Sequence, residues 1–202
     1  MARTLDPLKR TNILKVARAI FMRDGYSAAK MSDIASEAGV APGTLYLYFD
    51  SKEALSGAIG DDFFNRMSTQ FDQVIAEIHG PDSIHILLDW ALRIGEQERD
   101  LLAMVRDKKM EKCDKNDPKS PLYGRRLFVQ KLADVLEPLM KQGIVRHYDD
   151  VTDLADIVLA VMHRMLMSHA IFQDSNSEHI KTTAVKLLQH SLFSDAFLRT
   201  LD

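Results

Sequence analysis

The chain has 202 residues, of which 46% are hydrophobic and 27% charged, and its formal net charge at pH 7 is −3. This length suits one or two domains with a sizeable core. The single cysteine excludes an internal disulfide and a multi-cysteine zinc site. No apolar segment has the length and freedom from charge of a membrane span or a signal peptide, so we expect a soluble, cytoplasmic protein with no membrane partner.

The charge is unevenly distributed along the chain. Residues 1–31 contain seven lysines and arginines and only two aspartates, a balance of +5, which leaves −8 for the remainder. A basic end on an acidic body is typical of a protein that meets a polyanion at one end. Chance clustering of solvated charges is the alternative explanation of this pattern.

Apolar residues recur at three- and four-residue intervals, which indicates an all-α fold. Asp6 is expected to cap the first helix, with Pro7 in its first position and Gly25 at its end. Two short helices should follow, at about 31–38 and 42–49, and then a long one that is capped by Asp50 or Ser51 and reaches His79. Further helices are expected from Asp82 onward and at about 100–112, 122–142, 152–172 and 178–193, with an exposed loop at 113–121.

Residues 31–46 have the form of a helix-turn-helix. Ala35 supplies the small side chain that is needed where two helices cross closely, and Gly39 tolerates the positive φ of the turn. Four apolar residues fall where they can close a small core: Ile34, Ala38, Val40 and Leu45.

The second helix of such a motif lies in the major groove of DNA, with its N-terminal residues against base edges. Leu45 and Phe49 are four residues apart and are expected to point inward. A tyrosine hydroxyl can bond a phosphate oxygen, and an apolar side chain can meet a thymine methyl group. Packing of the two tyrosines against the first helix is the alternative. The residues left outward or at the rim are Pro42, Gly43, Thr44, Tyr46, Leu47 and Tyr48.

Lys52 lies in the first turn of the fourth predicted helix, where a positive charge opposes the helix macrodipole. A phosphate bound by Lys52 and the helix N-terminus together would make the interaction favourable. A solvated lysine with a small unfavourable contribution is the alternative.

Six short segments of the N-terminal region occur in a characteristic order: Gly25-Tyr26, Asp33-Ile34-Ala35, Ala38-Gly39-Val40, Gly43-Thr44-Leu45-Tyr46, Tyr48-Phe49 and Ser51-Lys52-Glu53-Ala54-Leu55. Together they resemble the DNA-binding domain of the tetracycline-repressor (TetR) family, over about residues 8–56. The resemblance implies a three-helix helix-turn-helix domain at 1–50 and a six-helix ligand-binding and dimerisation domain at 51–202. It also implies a homodimeric repressor that binds a palindromic double-stranded DNA operator and is released by a small effector.

The resemblance assigns contacts with bases or phosphates to four residues: Thr44, Tyr46, Tyr48 and Lys52. Members of the family usually have threonine or serine before the second helix, as its cap. This chain has Ala29 and Lys30 there, so the cap is lost, although Lys30 could still meet a phosphate. Lys30 and Arg3, both in the basic N-terminal region, complete the expected DNA contacts.

The segment 154–172 is apolar nearly all round, and a helix of that kind must be covered on two sides. In a single chain of this size one side of the helix would remain exposed to solvent, so we expect a partner to cover it. The resemblance implies that this helix and the next form a four-helix interface with a second copy. We assign the interface to Val161, Met165, Val185, Leu188 and Leu192.

Aromatic, methionine and histidine side chains of the C-terminal part indicate an apolar effector cavity, although such stripes more often form core. A cationic or a fatty-acyl compound would be compatible with it. No histidine pair has the i, i+4 spacing of a helical metal site, so we expect neither metal nor cofactor. The candidate effector residues are Trp90, Met104, Tyr123, Phe128, Met162, His163 and Phe172.

A helical enzyme, an activator and a protein-binding adaptor are the alternative functions. The sequence contains no Walker-type phosphate loop, dinucleotide-binding fingerprint or nucleophile elbow, so a helical enzyme is not expected. An activator with the same fold, and a protein-binding adaptor that does not use the helix-turn-helix on DNA, remain open.

Gly57 and Gly60 in the fourth predicted helix indicate either a close helix contact or a point of bending.

Overall fold

The computed structural model describes residues 5–102, 121–168 and 176–201, of which 121–123 by their backbone only. The chain forms two compact units whose boundary lies between Arg66 and Met67. The predicted all-α fold is confirmed. The first unit contains helices α1 (Pro7–Asp24), α2 (Met31–Glu37) and α3 (Pro42–Tyr48) and the first part of α4 (Lys52–Ala76).

Helix α1 has the boundaries that the sequence predicts. The Asp6 carboxylate accepts a hydrogen bond of 2.9 Å from the amide of Leu8, and Pro7 occupies the first helical position. Gly25 ends the helix at φ 81°, a conformation that residues with a side chain rarely adopt. The buried face consists of Ile13, Leu14, Ala17, Ile20 and Phe21.

Helices α2 and α3 form the predicted helix-turn-helix. Gly39 has φ 68° in the turn between them, and the amide of Val40 donates to the carbonyl of Ala35 at 3.0 Å. Ala35 is fully buried, as expected for the small residue at a close helix crossing. The two helices start at the predicted residues and end one residue earlier than expected.

Helix α4 begins after Ser51, whose hydroxyl oxygen accepts from the amide of Ala54 at 3.1 Å. It ends at Ala76, three residues before the predicted His79. A Cβ added at Gly57 or Gly60 would meet no atom within 4 Å. The interpretation of these glycines as a close helix contact is therefore wrong within the described part of the chain.

The second unit continues with α5 (Ser83–Gln97), α6 (Pro121–Lys141), α7 (Val151–Met167), α8 (Ser177–Leu192) and α9 (Asp195–Leu198). Helix α7 packs against α5, α6 and α8. The short α9 was not predicted; its cap is Ser194, whose hydroxyl accepts from the amide of Phe197 at 3.1 Å. Most of the helix predicted at 100–112 and the loop at 113–121 lie outside the described residues.

Helices α5 and α7 approach each other closely at Gly95. A Cβ added there would overlap the carbonyl oxygen of Leu166 and lie 3.0 Å from its carbonyl carbon. The missing side chain thus lets the two backbones touch. Over the ranges that the structure describes, no helix combines the length and hydropathy that a membrane span requires.

Candidate nucleic-acid interface

Helix α3 has an exposed face that carries both polar and apolar side chains, and its opposite face is buried. Leu45 and Phe49 are 0% and 5% exposed, so both point inward as predicted. Tyr46 and Leu47 are 50% and 65% exposed. The remaining residues that the sequence places on the outer face are Pro42 and Gly43, which are exposed, and Thr44 and Tyr48, which are half-buried.

Tyr48 joins the start of α1 to α3. Its hydroxyl oxygen accepts a hydrogen bond of 3.0 Å from the backbone amide of Asp6. Tyr48 therefore makes the alternative contact, with the residue that caps the first helix. Because the oxygen acts as acceptor here, its own proton can still be donated to a phosphate oxygen. Tyr48 can thus serve both as a packing residue and as a phosphate donor.

The start of α2 has no side-chain cap, as the sequence predicts. The N-cap residue is Lys30, with extended backbone (φ −112°) and an exposed side chain, and Ala29 before it is buried. A cation in this place could approach a phosphate near the helix N-terminus. Arg3, the other expected contact from the basic region, lies outside the described residues.

The ammonium group of Lys52 points into the connection between α1 and α2. Its Nζ donates to the backbone carbonyls of Tyr26, Ser27 and Ala29 at 2.7, 3.2 and 3.1 Å. It also lies 4.7 Å from the centre of the Tyr26 ring. A lysine has three N–H donors, so each of these carbonyls can accept one of them. Within the chain the partners of Lys52 are therefore backbone carbonyls, and its contact with a phosphate stays a prediction.

Glu53 makes a second contact with the same connection. The Tyr26 hydroxyl donates to its carboxylate at 3.0 Å, and the Tyr26 ring packs edge-on against Phe21 at 5.3 Å between centroids. Burial and, next, the bond to Glu53 raise the pKa of Tyr26. The pKa of Glu53 is lowered, first by the hydrogen bond from its own backbone amide and then by the Tyr26 hydroxyl. Both shifts keep the tyrosine neutral and the glutamate charged at neutral pH, so the bond persists there.

The positive charge of the N-terminal region is partly balanced within the first unit. The Arg23 guanidinium bonds the Asp24 carboxylate at 2.9 Å and the Glu37 carboxylate at 2.8 Å. The guanidinium of Arg10 lies 5.5 Å from the centre of the Phe49 ring and keeps its charge at the surface. Not all of the basic excess that the sequence shows is therefore directed at a partner.

The candidate effector residues do not form one set in the second unit. Trp90, Phe128 and Met162 are buried, and the ring of Phe71 lies 5.6 Å from Trp90 and 4.8 Å from Phe128. His163 is exposed at the surface, although partial desolvation and then the charge of Arg125 lower its pKa. The other three candidate effector residues lie outside the described side chains: Met104, Tyr123 and Phe172.

Most of the residues expected at the dimer interface are buried in the core of their own chain. Four of them are at most 4% exposed and pack inside their own chain: Met165, Val185, Leu188 and Leu192. Val161 alone among the five is partly exposed. The same two helices instead expose Ile157 on α7 and Leu187 on α8, at 60% and 61%.

Comparison with known proteins gives a consistent result for the N-terminal region. Residues 13–59 match the model of bacterial regulatory proteins of the TetR family. Over 100 residues the chain is 35% identical to YvdT of Bacillus subtilis, an uncharacterized HTH-type transcriptional regulator, covering 48% of this chain and 50% of YvdT. Over 73 residues it is 42% identical to the HTH-type transcriptional regulator UidR of Escherichia coli K12, covering 36% and 37%. The chain thus spans half or less of the length of these curated relatives.

A solved structure extends the likeness to most of the chain. A transcriptional regulator FadR from Bacillus subtilis, in complex with stearoyl-CoA, superposes with a TM-score of 0.66 at 18% identity, covering 90% of this chain and 98% of that one. At this identity the likeness shows the fold. The helix-turn-helix and the family match identify residues 13–59 as a DNA-binding domain of the kind found in bacterial regulatory proteins of the TetR family.

Proposed function

We propose that the chain is a ligand-responsive transcriptional repressor that binds a palindromic DNA operator as a homodimer and is released by a small apolar effector. One observation carries the DNA-binding part: the outer face of α3 exposes Tyr46 and Leu47 while Leu45 behind them is completely buried. An exposed leucine and tyrosine on a short, well-anchored helix favour a binding surface.

The chemistry of this face suits the major groove of DNA. An α-helix fits the groove, and the Thr44 hydroxyl can bond a base edge there. Leu47 offers an apolar surface to a thymine methyl group, while the hydroxyls of Tyr46 and Tyr48 can donate to phosphates on either side. Pro42 and Gly43 lie at the end of the helix that enters the groove first.

The effector part of the proposal is supported by the aromatic cluster of the second unit, which we define as Phe71, Trp90 and Phe128. These rings are buried, and the Trp90 indole N–H donates to the Gln70 side chain at 3.4 Å. The similar FadR structure contains an acyl compound, stearoyl-CoA. An apolar effector would bind near this cluster and Met162, and it could release the protein from DNA only by binding the released conformation more tightly.

The homodimer part is supported by the exposed apolar residues of α7 and α8. Ile157 and Leu187 are large and face solvent, and Val161 is partly exposed one turn of α7 beyond Ile157. A twofold axis would bring the same residues of two copies together. The interface that we propose therefore lies on the exposed face of these helices, which is turned by about 80–100° around each helix axis from Met165 and Leu188.

The DNA-binding proposal is tested by selecting duplexes from a random-sequence library with the purified chain. We expect a palindromic consensus, and we expect Thr44→Ala to bind the selected duplex about tenfold more weakly, since one base contact contributes about 1–3 kcal/mol. Binding to an unrelated duplex should change much less. Thr182→Ala, an exposed threonine on α8, is the matched control and should leave both affinities unchanged. Failure to enrich any sequence, or equal losses on both duplexes, would contradict the proposal.

A further inference from the structure

The corner between α4 and α5 is held in one geometry by a buried serine. The chain turns at Gly80-Pro81 before α5 starts at Ser83. The Ser83 hydroxyl accepts from the amides of His79 and Gly80 at 3.0 and 3.3 Å. It also donates to the carbonyl of Glu77 at 3.1 Å. The backbone around the turn is therefore fixed from inside.

Helix α9 packs against this corner and is itself anchored. A Cβ added at Gly80 would lie 3.8 Å from two atoms of the Phe197 ring, so the ring is in contact with the glycine. At the start of α9, the Ser194 hydroxyl donates to the carbonyl of Gly143 at 2.6 Å, and the Ser194 amide donates to that of Ile144 at 2.9 Å. Both the corner and α9 thus form walls that are in place before any ligand binds.

An open groove of about 330 Å³ lies between these two walls. Small-molecule sites usually measure about 300–1,000 Å³, so the groove is at the lower end of that range. Two of its apolar side chains are left uncovered, since Ile86 and Leu201 are 44% and 60% exposed. We call it the corner groove and define it by six of its lining residues: Glu77, His79, Asp82, Ile86, Phe197 and Leu201.

The two carboxylates of the corner groove are not used by the chain. Asp82 directly precedes α5, where an aspartate usually accepts a hydrogen bond from a helix amide. Its backbone is helical instead (φ −66°, ψ −21°), and its carboxylate makes no capping bond. Within the described ranges, neither Asp82 nor Glu77 forms an ion pair or a side-chain hydrogen bond. No lysine or arginine is among the described residues that line the groove.

We propose that the corner groove binds a small cationic amphiphile, a molecule with one ammonium group on a short aromatic or aliphatic body. The ammonium group would lie beside the carboxylates of Glu77 and Asp82, which also repel an anion. The body would cover Ile86 and Leu201, and the Phe197 ring offers it an apolar surface and the cation a negative ring face. The site shares no residue with the aromatic cluster of the proposed effector site, and the inference does not depend on DNA binding.

The size of the corner groove favours a small molecule over a protein partner. Specific protein interfaces bury about 1,200 Å² or more in total. The uncovered apolar surface here is confined to Ile86, Leu201 and part of Phe197, which is too little for the core of such an interface.

Binding is measured by NMR titration of the isotopically labelled full chain, through the amide signals of Gly80, Ile86 and Leu201. The probes share a phenyl ring and differ in charge: phenethylammonium, phenethyl alcohol and phenylacetate. We expect saturable shifts with phenethylammonium at a Kd of about 1 mM. The alcohol should bind about fivefold more weakly, because each exposed carboxylate adds only a modest attraction. Phenylacetate should cause no saturable shift.

Two variants test the roles of the charges and of the apolar floor. Glu77→Gln combined with Asp82→Asn should weaken phenethylammonium about fivefold, to the level of the alcohol, and leave the alcohol unchanged. Glu96→Gln, an exposed carboxylate of α5 outside the groove, is the matched control and should alter neither affinity. Ile86→Lys places an ammonium group of the protein itself in the groove and should abolish binding of phenethylammonium, while circular dichroism shows an unchanged fold.

Equal affinities for the ammonium and alcohol probes, or a double variant that binds phenethylammonium like the wild-type chain, would overturn the assignment to a cation. Shifts that do not saturate, or that spread evenly over the surface, would show that there is no site. Groove shifts that follow protein concentration without a probe would assign the groove to a second copy. Tighter binding of a lysine-containing tripeptide than of phenethylammonium would assign it to a basic protein segment. The titration contains no DNA, so its failure and a failure of the proposed function are distinguishable.

Discussion

Replacing Gly95 by alanine is expected to lower the free energy of unfolding by about 2 kcal/mol or more. The new Cβ would overlap the carbonyl oxygen of Leu166 and lie 3.0 and 3.3 Å from its carbonyl carbon and Cα. These are backbone atoms of α7, so no side-chain rotation can relieve the overlap, and α5 and α7 must move apart. The higher helix propensity of alanine returns about 1 kcal/mol, which is less than the loss.

The matched control is Gly57→Ala in α4. Gly57 is exposed, and an added Cβ would meet nothing within 4 Å, so only the propensity gain of about 1 kcal/mol applies. Thermal unfolding at equal protein concentrations should show a Tm about 2–4 °C above wild type for Gly57→Ala and about 4 °C or more below it for Gly95→Ala. A Gly95→Ala variant as stable as wild type would show that the close contact of α5 and α7 is not required.

The parts of the fold that the sequence predicts correctly depend on local interactions. Asp6 caps α1 by accepting a hydrogen bond from an amide two residues away. Gly39 adopts the positive φ that the turn between α2 and α3 requires. Capping and positive-φ turns leave short, recognisable patterns because every participating atom lies within a few residues. The helix-turn-helix was identified for this reason.

The contacts of Lys52 could not be predicted in this way. Its three carbonyl partners lie 23 to 26 residues away along the chain, and any backbone carbonyl can accept from a lysine. Sequence patterns show that a charge is present at the start of α4 but not where a long, flexible side chain places it. The partners become visible only when α4 is packed against the connection before α2.

The sequence pattern also does not predict which apolar residues of α7 and α8 are buried and which are exposed. Leu187 and Leu188 are adjacent and chemically identical, yet they are 61% and 4% exposed. The apolar periodicity shows that both sides of α7 are hydrophobic, whereas the choice between own core and partner depends on how α5, α6 and α8 cover it. Gly95 gives only a weak signal in the sequence, a glycine inside an amphipathic helix.

The two leucines offer a test of the proposed homodimer. We expect Leu187→Glu to give a monomer with its helical content intact, because the charge is placed on an exposed residue and disfavours only a second copy. Leu188→Glu should instead unfold the chain, since it buries an unpaired carboxylate in the core of its own subunit, at a cost of several kcal/mol. Sedimentation equilibrium measures the mass of each variant, and circular dichroism measures its helicity.

Ile157→Glu on α7 provides an independent variant of the same exposed face and should behave like Leu187→Glu. Both monomers should lose most of their affinity for a palindromic duplex, because a dimer places two α3 helices in successive major grooves about 34–36 Å apart and a monomer reads only one half-site. A Leu187→Glu protein that keeps the wild-type mass, or a wild-type chain that sediments as a monomer, would contradict an interface on this face. A folded monomer obtained from Leu188→Glu would return the interface to the side of the helices that is buried here.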